Sequence, residues 1–558
     1  MLEEVFEGFE RYQVVLLYFS VILPVSLMLA PDQKGGPEMA IVQELKAYRL
    51  QQFDLQGNMR GSRGWRLSFE AGALGSRQLL RRCLVVWWRD LIGANLDELF
   101  QQTLGGVVVV LPQHIADVQA DDVDSFKELE SRLLEGSFNL PVYLALATPS
   151  LRTMLRSLES SQRSQEVSAF AAVMNAVTAN SYQLVTGLQA SSVKLDKPIY
   201  NIIGKLSAYE RGSDASTVAI VAHYDSFGAA PALSFGADSN GSGVAALLEL
   251  ARIFQQYYKS SKTRAKYDLV FLLSAGGKLN FQGTRQWLDE QQIQAESAWG
   301  NLELAICLDS LAGASTLHVH VSKTPKEGGA MAGFVSQLQA SAASRFGRNR
   351  SVAVVQKKIN LADELLAWEH ERFSIKKMPA FTLSHFPAAK ESMTRSILDT
   401  REKLDMNALR ENTEVIADAL FRHLYGLQED WTESRVSGEL LESWVTALSS
   451  TSRAASVMAA AGTSDKVVAD LYNALDSHTH EASVSPVQSD KKDPEFVLYG
   501  ATEDTIYAYR VKPAVFDLIL AAAIAAYLAL VYLTVLNASR LLNSAQMWCQ
   551  RLLKAKAL

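Results

Sequence analysis

The sequence predicts an α/β protein: a central domain with a mostly parallel β-sheet, a smaller N-terminal α/β lobe, a helical C-terminal region and one C-terminal transmembrane helix. Two observations predict this fold class. Short apolar strands alternate with helical segments between residues 196 and 427, which is typical of a parallel sheet covered by helices. A long, nearly uncharged apolar run then occupies residues 514–536, close to the end of the chain.

The composition is that of a globular protein with membrane segments. With 558 residues the chain is long enough for two or three domains, and its net charge of −6 gives no basic footprint for nucleic acid. The cysteines Cys83, Cys307 and Cys549 are too few for a disulfide framework. Whether Cys83 pairs with Cys307 stays open, and Cys549 is either a free thiol or a palmitoylation site.

The chain divides into several predicted segments. The first, residues 1–31, contains the apolar run Val14–Ala30 and is either a signal peptide or a signal anchor; its leading flank is acidic, and Pro31 follows the run directly. The remaining segments are a lumenal α/β lobe at 32–195, the central domain at 196–427, a helical region and linker at 428–512, the transmembrane helix at 514–536 and a basic cytoplasmic tail at 537–558.

Apolar patterning places the elements within these segments. In the lobe, Gly106–Leu111 and Val142–Leu146 are predicted strands, and Ser125–Leu134 is a predicted helix. The central domain is predicted to contain strands at 217–222, 268–274, 304–309, 317–321 and 380–384, and a helix that begins near Asn407. His318 and His320 alternate on a strand with no partnering motif, so both are predicted to be ordinary strand residues.

Two apolar stripes predict helices between residues 428 and 500. The stripes are Leu440, Leu441, Trp444 and Leu448, and then Val468, Leu471 and Leu475. Each stripe is expected to pack on the core of the central domain, with a groove for a partner as the alternative. The polar stretch Ser477–Glu495 is predicted to be a linker.

A histidine and two carboxylates follow one buried strand. The strand Thr217–Val221 leads into His223 and Asp225, and a glycine-rich loop then presents Asp238 ahead of a helix. Ligands of open α/β sheets collect at the carboxyl ends of the strands. Imidazole and carboxylate groups gathered there are the kinds of ligand that suit zinc.

The strings AHYDSFG and GADSNGSG, which contain these residues, resemble the first half of the metal site of the M28 (zinc aminopeptidase-like) family. The resemblance implies that His223 binds one metal ion, that Asp225 orients this histidine from behind, and that Asp238 bridges two metal ions. It also implies that Asp309, at the end of the strand predicted at 304–309, is a further metal ligand.

Three positions depart from the family pattern. Where the family carries a general-base glutamate and a metal-ligand glutamate, this chain has Gly276 and Gly277, followed by Lys278; where the family carries a late metal-ligand histidine, it has Arg395. Glycine has no side chain to accept a proton or bind a metal, and arginine opposes a dication because it stays charged. His370, which matches a family histidine near the substrate pocket, does not replace the missing ligand. The sequence therefore predicts an M28 fold without enzyme activity and without a metal cofactor.

The apolar run at 514–536 predicts the membrane topology. It is long enough to cross a hydrocarbon core of about 30 Å, and its one charge, Asp517, lies near the interface. The tail after it is basic and has no acidic residue, which predicts a cytoplasmic tail and a lumenal body, as in a single-pass type I protein. Asn240 and Asn349 are then candidate glycosylation sites in the lumen, and Asn537 at the membrane edge is expected to stay unmodified.

Longer strings resemble the nicastrin-related, catalytically degenerate branch of the M28 family; they are AYRLQQFDLQG, NLADELLAWEHERF, KKDPEFV and AYRVKPAVFDL. The resemblance implies a non-catalytic subunit of an endoplasmic reticulum membrane complex, with Nodal modulator (NOMO) and a small multi-pass membrane protein as partners. It further implies a role at the Sec61 translocon and the ribosome in multi-pass membrane protein biogenesis, and a link to Nodal signalling. Two alternatives stay open: a residual zinc aminopeptidase, and a binding module that holds peptide ends in the old cleft.

Overall fold

The structure is a computed structural model and describes residues 41–74, 81–101, 105–165, 181–187, 198–209, 215–293, 301–389, 392–427, 436–461, 465–490, 492–511, 514–537 and 547. The predicted targeting segment at 1–31, Cys549 and the basic residues of the tail lie outside the described residues. The described residues belong to two compact units. The larger contains Leu45–Arg152 and Thr186–Ile506, and the smaller contains the described parts of Met1–Glu44, Thr153–Val185 and Tyr507–Leu558.

Strands and helices are numbered along the described part of the chain. The strands are β1 Ile41–Arg49, β2 Phe53–Leu55, β3 Asn58–Ser62, β4 Ser68–Gly72, β5 Cys83–Trp87, β6 Gly106–Leu111, β7 Ser137–Phe138, β8 Val142–Leu146, β9 Ser181–Thr186, β10 Ile199–Leu206, β11 Ser216–His223, β12 Asp268–Ser274, β13 Asn301–Leu308, β14 Thr316–Val321, β15 Ser351–Gln356, β16 Ala380–Ser384, β17 Glu481–Val487, β18 Phe496–Leu498 and β19 Glu503–Val511. The helices are α1 Leu96–Gln101, α2 Ala120–Glu135, α3 Pro149–Gln165, α4 Gly243–Tyr258, α5 Gln282–Ile293, α6 Ala330–Phe346, α7 His370–Ile375, α8 Met406–Tyr425, α9 Gly438–Ser449, α10 Ala455–Ala461, α11 Lys466–His478 and α12 Ala514–Leu536.

The larger unit is organised around an eight-stranded sheet in the order β15-β14-β16-β13-β11-β12-β10-β17. Its central strands β16, β13, β11 and β12 run parallel, whereas β14 pairs with β16, and β10 pairs with β12 and β17, in antiparallel fashion. The buried central strands read as apolar runs because apolar clusters cover both faces of the sheet. The strands predicted for the central domain are confirmed as β11, β12, β13, β14 and β16. The sheet as a whole is mixed, because antiparallel pairs flank its parallel centre and the edge pair β14–β15 is parallel again.

Two edge strands lie where the sequence predicted none. β15 pairs with β14 at one edge, and β17 pairs with β10 at the other, within the stretch predicted to be a polar linker. Both strands are partly exposed and mix polar with apolar residues, and β17 contains Pro486, which is typical of an edge strand. Such strands lack the apolar runs that identify buried strands, so the sequence pattern missed them.

The core of this sheet includes helices that follow the central domain in the chain. Helix α4 packs on the sheet with Leu247 and Phe254, which are both fully buried. Helices α9 and α11 add Leu441 and Leu471 to the same apolar cluster. The two stripes predicted between residues 428 and 500 therefore pack on the core of the central domain, as the first of the two interpretations expected.

A buried arginine joins these C-terminal helices to the loops at the strand ends. Arg453, between α9 and α10, is fully buried and donates hydrogen bonds to the carbonyl oxygens of Tyr224 (2.8 Å), Gly236 (2.7 Å) and Leu448. Burial lowers the pKa of Arg453 to about 10, which still leaves the guanidinium charged at neutral pH. A region predicted to be separate from the central domain therefore helps to shape it.

The N-terminal lobe, also part of the larger unit, contains the parallel strands β4, β5, β6 and β8, with β1 antiparallel to β8. The predicted strands of the lobe are confirmed as β6 and β8, and the predicted helix lies within α2. Cys83 in β5 and Cys307 in β13 are both buried free thiols, so they do not form the disulfide that the sequence left open.

The smaller unit contains the apolar helix near the chain end. Helix α12 covers the predicted span, and its described side chains between Leu520 and Leu533 are mostly exposed. When only the described residues are considered, no helix is long and apolar enough to cross a membrane.

A buried glutamate ties the lobe to the loops of the central domain. Glu130 on α2 is 2% exposed, and its Oε1 accepts hydrogen bonds from the backbone N–H groups of Ala229 (2.7 Å) and Ile397 (3.0 Å), while the Ser396 hydroxyl donates to Oε2. Burial raises the pKa of Glu130 from 4.5 to about 7, against the effect of these hydrogen bonds. The carboxyl group therefore binds a proton more tightly in the folded state than in the unfolded state.

This shift predicts how stability depends on pH. The free energy of unfolding should decrease as the pH rises from about 4.5 to about 7, because the unfolded chain then releases a proton that the folded chain still holds. Glu130→Gln keeps an acceptor for Ala229 and Ile397 and removes this titration, so chemical unfolding should show a flatter profile and no loss of stability at pH 8. Glu130→Ala leaves buried N–H groups unpaired and should cost about 2 kcal/mol.

The matched control is Glu128→Gln, on an exposed position of the same helix. It should leave both the stability and its pH dependence unchanged. A Glu130→Gln protein that is much less stable than the wild type at pH 8 would contradict a role limited to hydrogen bonding.

Candidate functional site

The ends of the parallel strands bring most of the predicted site residues to one edge of the sheet. His223 ends β11, Gly277 and Lys278 follow β12, and Asp309 follows β13. Together with Arg395 they line a cleft of about 740 Å³. Because parallel strands share a direction, their carboxyl ends open on the same side, which is where such folds bind ligands.

His223 lies in an unusual environment for a buried imidazole. It is 1% exposed, and neither ring nitrogen has a hydrogen-bond partner among the described residues. Its Nδ1 lies 3.6 Å from Oε2 of Glu369, whose other oxygen accepts hydrogen bonds from the hydroxyls of Ser274 and Thr284. The sequence analysis did not identify Glu369 as a site residue, although it directly precedes His370 in the chain.

Asp225 is predicted to orient His223 from behind, but its hydrogen bonds go to the turn after β12. Its carboxylate accepts hydrogen bonds from the backbone N–H groups of Gly277 (2.7 Å) and Lys278 (3.0 Å). Asp225 therefore fixes the turn that follows β12, and the orientation of the His223 ring depends on its packing against Phe281.

Asp238, predicted to bridge two metal ions, is also bonded to neighbouring groups. One carboxylate oxygen accepts from the Ser242 hydroxyl (2.7 Å) and from the Ala312 backbone N–H (3.0 Å). The other oxygen lies 2.7 Å from Nε2 of His385. These contacts direct the carboxylate towards the loops that follow β13 and β16.

The next residue, Ser239, reaches the centre of the site instead. Its Oγ lies 3.2 Å from a carboxylate oxygen of Asp309 and accepts a hydrogen bond from Nζ of Lys278 at 2.6 Å. The sequence analysis did not identify Ser239 as a site residue, and only its position in the same glycine-rich loop could have suggested this role. The Asp399 carboxylate fixes this loop, because its oxygens accept hydrogen bonds from the backbone N–H groups of Asp238 and Ser239, each with an N···O distance of 2.8 Å.

Several pKa shifts follow from this packing. Burial lowers the pKa of Lys278, and the carboxylates of Asp309 and Asp225 oppose that effect. Burial acts to raise the pKa of Asp309, but His223, Lys278 and two hydroxyl groups outweigh it, so the pKa is lowered. Burial and the neighbouring Asp238 raise the pKa of Asp399 to about 7. The site is therefore a compact set of coupled charges.

Arg395 is the residue that the sequence resemblance places at the position of the family's late histidine. Its guanidinium stacks on the ring of Phe227, with its carbon 4.4 Å from the ring centre. Burial lowers the pKa of Arg395 to about 10, while Asp225 acts in the opposite direction. The residue therefore adds a positive charge to the wall of the cleft.

The backbone at Gly276 and the packing at Gly277 both disfavour a residue with a side chain. Gly276 has φ +64°, a conformation that side chains rarely adopt, and a Cβ placed on Gly277 would lie 2.3 Å from Cβ of His223. The His223 side chain thus occupies the space that a residue 277 side chain would need.

The other predicted histidines are bonded within the fold. Nδ1 of His370 lies 2.9 Å from Oγ1 of Thr382, and burial lowers the pKa of His370 to about 3. His318 and His320, predicted to be ordinary strand residues, lie on β14 with a ring nitrogen near the carbonyl oxygens of His385 (3.2 Å) and Phe386 (2.8 Å), respectively.

The structure separates the two candidate glycosylation sites. Asn240 is fully buried; its amide donates to the carbonyl oxygen of Leu308 (2.7 Å) and accepts from Gly243 and Ser310. A glycan on Asn240 is incompatible with this packing. Asn349 is exposed, so its candidacy stands as a prediction.

The donor set does not fit the metal pair of the M28 family. Within the described residues, no group of three or more histidine, cysteine, aspartate or glutamate side chains is placed to hold a metal ion. The carboxylates of Asp225 and Asp238 are bonded to other groups, and the Lys278 ammonium lies beside Asp309, where it opposes a dication.

Comparison with known proteins shows which family the chain resembles. Peptidase family M28 matches residues 201–420. The chain is 39% identical over 566 residues to the Homo sapiens protein "BOS complex subunit NCLN", with 99% of each chain covered, and 31% identical to the Caenorhabditis elegans protein "Nicalin", with 95% and 96% covered. Among solved structures it resembles the gamma-secretase component nicastrin, with a TM-score of 0.58, 10% identity, and 83% of this chain and 99% of that chain covered. At that identity the likeness shows the fold alone.

Restoring the two glutamates should not restore an enzyme. Gly276→Glu with Gly277→Glu should give no hydrolysis of amino-acid amides, and it should lower the free energy of unfolding by roughly 1–3 kcal/mol through overpacking against His223. Thermal unfolding and an amidase assay on the purified full-length chain measure both effects. Gly333→Glu is the control, because a Cβ there meets nothing within 4 Å. Hydrolysis by the double variant would contradict the interpretation.

Proposed function

Because this chain belongs to the nicalin family, we propose that it is a non-catalytic membrane subunit of an endoplasmic reticulum complex with Nodal modulator (NOMO) and a small multi-pass membrane protein. In this proposal the complex acts at the Sec61 translocon and the ribosome during multi-pass membrane protein biogenesis, and it also modulates Nodal signalling. The observation that carries the proposal is identity of 39% along 99% of a relative named as a complex subunit.

The geometry of the cleft supports the absence of catalysis. Gly276 and Gly277 supply neither a general base nor a ligand, and the space beside Gly277 is filled by His223. Lys278 and Arg395 add positive charge to the cleft near the strand ends. A residual zinc aminopeptidase, the first alternative, would need carboxylates that are bonded elsewhere in this fold.

The proposed topology is a single-pass type I membrane protein with most of the chain in the lumen. Its support is the apolar helix at Ala514–Leu536, which carries Asp517 as its one charge, and the basic residues that follow it in the sequence.

A second candidate function is favoured by the cleft itself. Its walls include Phe227, Phe281 and Trp368, and its charged groups include Lys278 and Arg395. Apolar walls with a few charged groups are typical of ligand sites, so this cleft has the character needed to hold a peptide end without cutting it.

Isolation of the complex tests the main proposal. A tagged full-length chain, purified from microsomes in a mild detergent, should bring down the two membrane partners in near-equal amounts by mass spectrometry. A tagged chain that ends before residue 514 is the control and should lose partners that bind through the membrane. Recovery of the full-length chain without membrane partners would contradict the proposal and favour the cleft-binding function.

The topology predicts one glycan on the exposed Asn349. Peptide N-glycosidase F should increase the gel mobility of the wild-type chain expressed in cells, and Asn349→Gln should abolish that shift. Asn537→Gln, at the predicted membrane edge, should behave like the wild type. An unglycosylated wild-type chain whose body is degraded by protease added outside intact microsomes would contradict a lumenal body.

A further inference from the structure

We propose that the ammonium group of Lys278 is a built-in structural cation that takes the place of the family's metal ions and holds the strand-end loops of this chain together. This role does not depend on the partners of the chain. It concerns what keeps the acidic edge of the sheet folded once the metal ligands have been lost.

The position of Lys278 supports this role first. The side chain lines the cleft and is 8% exposed, and its Nζ donates to Oγ of Ser239 at 2.6 Å. The same hydroxyl lies 3.2 Å from Asp309. One ammonium group therefore links three segments: the loop after β11, the turn after β12 and the end of β13.

The surrounding charge supports it second. Burial, together with Arg395, lowers the pKa of Lys278, whereas Asp309, Asp225 and Asp399 oppose this effect, so each of the three carboxylates favours the charged ammonium. Buried carboxylates this close together repel one another unless a cation is present. In a metalloenzyme the metal ions supply that charge, and in this chain Lys278 does so, with Arg395 on the cleft wall.

The local backbone explains how the lysine is placed. Asp225 accepts the N–H groups of both Gly277 and Lys278, which sets the direction in which the Lys278 side chain leaves the turn. Gly277 has no side chain, so the His223 ring fills the adjacent space. In the Gly276-Gly277-Lys278 sequence, the glycine at 277 thus leaves space for the His223 ring, and Lys278 supplies a positive charge to the site.

An alternative interpretation of the Ser239–Lys278 contact is that Ser239 is a nucleophile and Lys278 its general base, as in serine–lysine hydrolases. That reading needs a neutral amine and an accessible hydroxyl. Ser239 is 2% exposed, and its hydroxyl also contacts Asp309. A buried hydroxyl that already contacts Asp309 favours a structural contact, and labelling with a fluorophosphonate probe distinguishes the two interpretations.

The test uses the full-length chain purified in detergent. Lys278→Met removes the charge with little change of shape and should lower the Tm by about 5 °C or more, because it leaves buried carboxylates uncompensated. Lys278→Met combined with Asp309→Asn should be less destabilised than Lys278→Met alone. Lys278→Ala should regain Tm when propylammonium chloride is added, because that ion matches the atoms removed and the cleft gives it access.

The control variant is Lys205→Ala. Lys205 is similarly buried in an ion pair with Asp268 (2.7 Å), but it is not among the residues that line the cleft. Its variant should lose stability without recovery in propylammonium, and sodium chloride at equal ionic strength should rescue neither variant.

Two results would overturn the proposal. One is a Lys278→Met protein as stable as the wild type. The other is fluorophosphonate labelling of Ser239 in the wild type that disappears in Lys278→Met, since this would show a neutral, proton-accepting lysine. If Lys278→Met does not accumulate in cells, recovery of the double variant with Asp309→Asn supports the proposal, and equal failure of the double variant rejects it.

Discussion

Carboxylates buried at the ends of parallel strands need positive charge near them, and the hydrogen-bonded link from Lys278 through Ser239 to Asp309 is the interaction on which this site depends. Asp225, Asp309 and Asp399 all act on the Lys278 ammonium, and its hydrogen bond to Ser239 connects the strand ends. Without a cation in this position the acidic loops would repel one another. The same charge opposes the binding of a dication at this position.

Other buried polar groups stabilise the same loops through hydrogen bonds to their backbone. Glu130 reaches them from the N-terminal lobe, and Arg453 reaches them from the C-terminal helices, each through several hydrogen bonds to the backbone. Asp225 and Asp399 do the same from within the site. Residues that the M28 pattern associates with metal binding therefore stabilise loops in this chain.

The buried strands and the residues at their ends were predictable from sequence, because continuous apolar runs mark β11, β12 and β13. The partners of the side chains were not. Whether Asp225 bonds to His223 or to the turn after β12 depends on loop geometry that no local pattern encodes. The burial of Asn240 and the edge strand β17 likewise depend on contacts with distant segments.

The central claim is that this M28 fold carries its own cation and binds no catalytic metal. The most direct test is elemental analysis of the purified full-length chain after exposure to zinc and removal of the unbound metal. The account predicts far less than one zinc ion per chain. A stoichiometry of about one or two zinc ions per chain, retained through gel filtration, would contradict it.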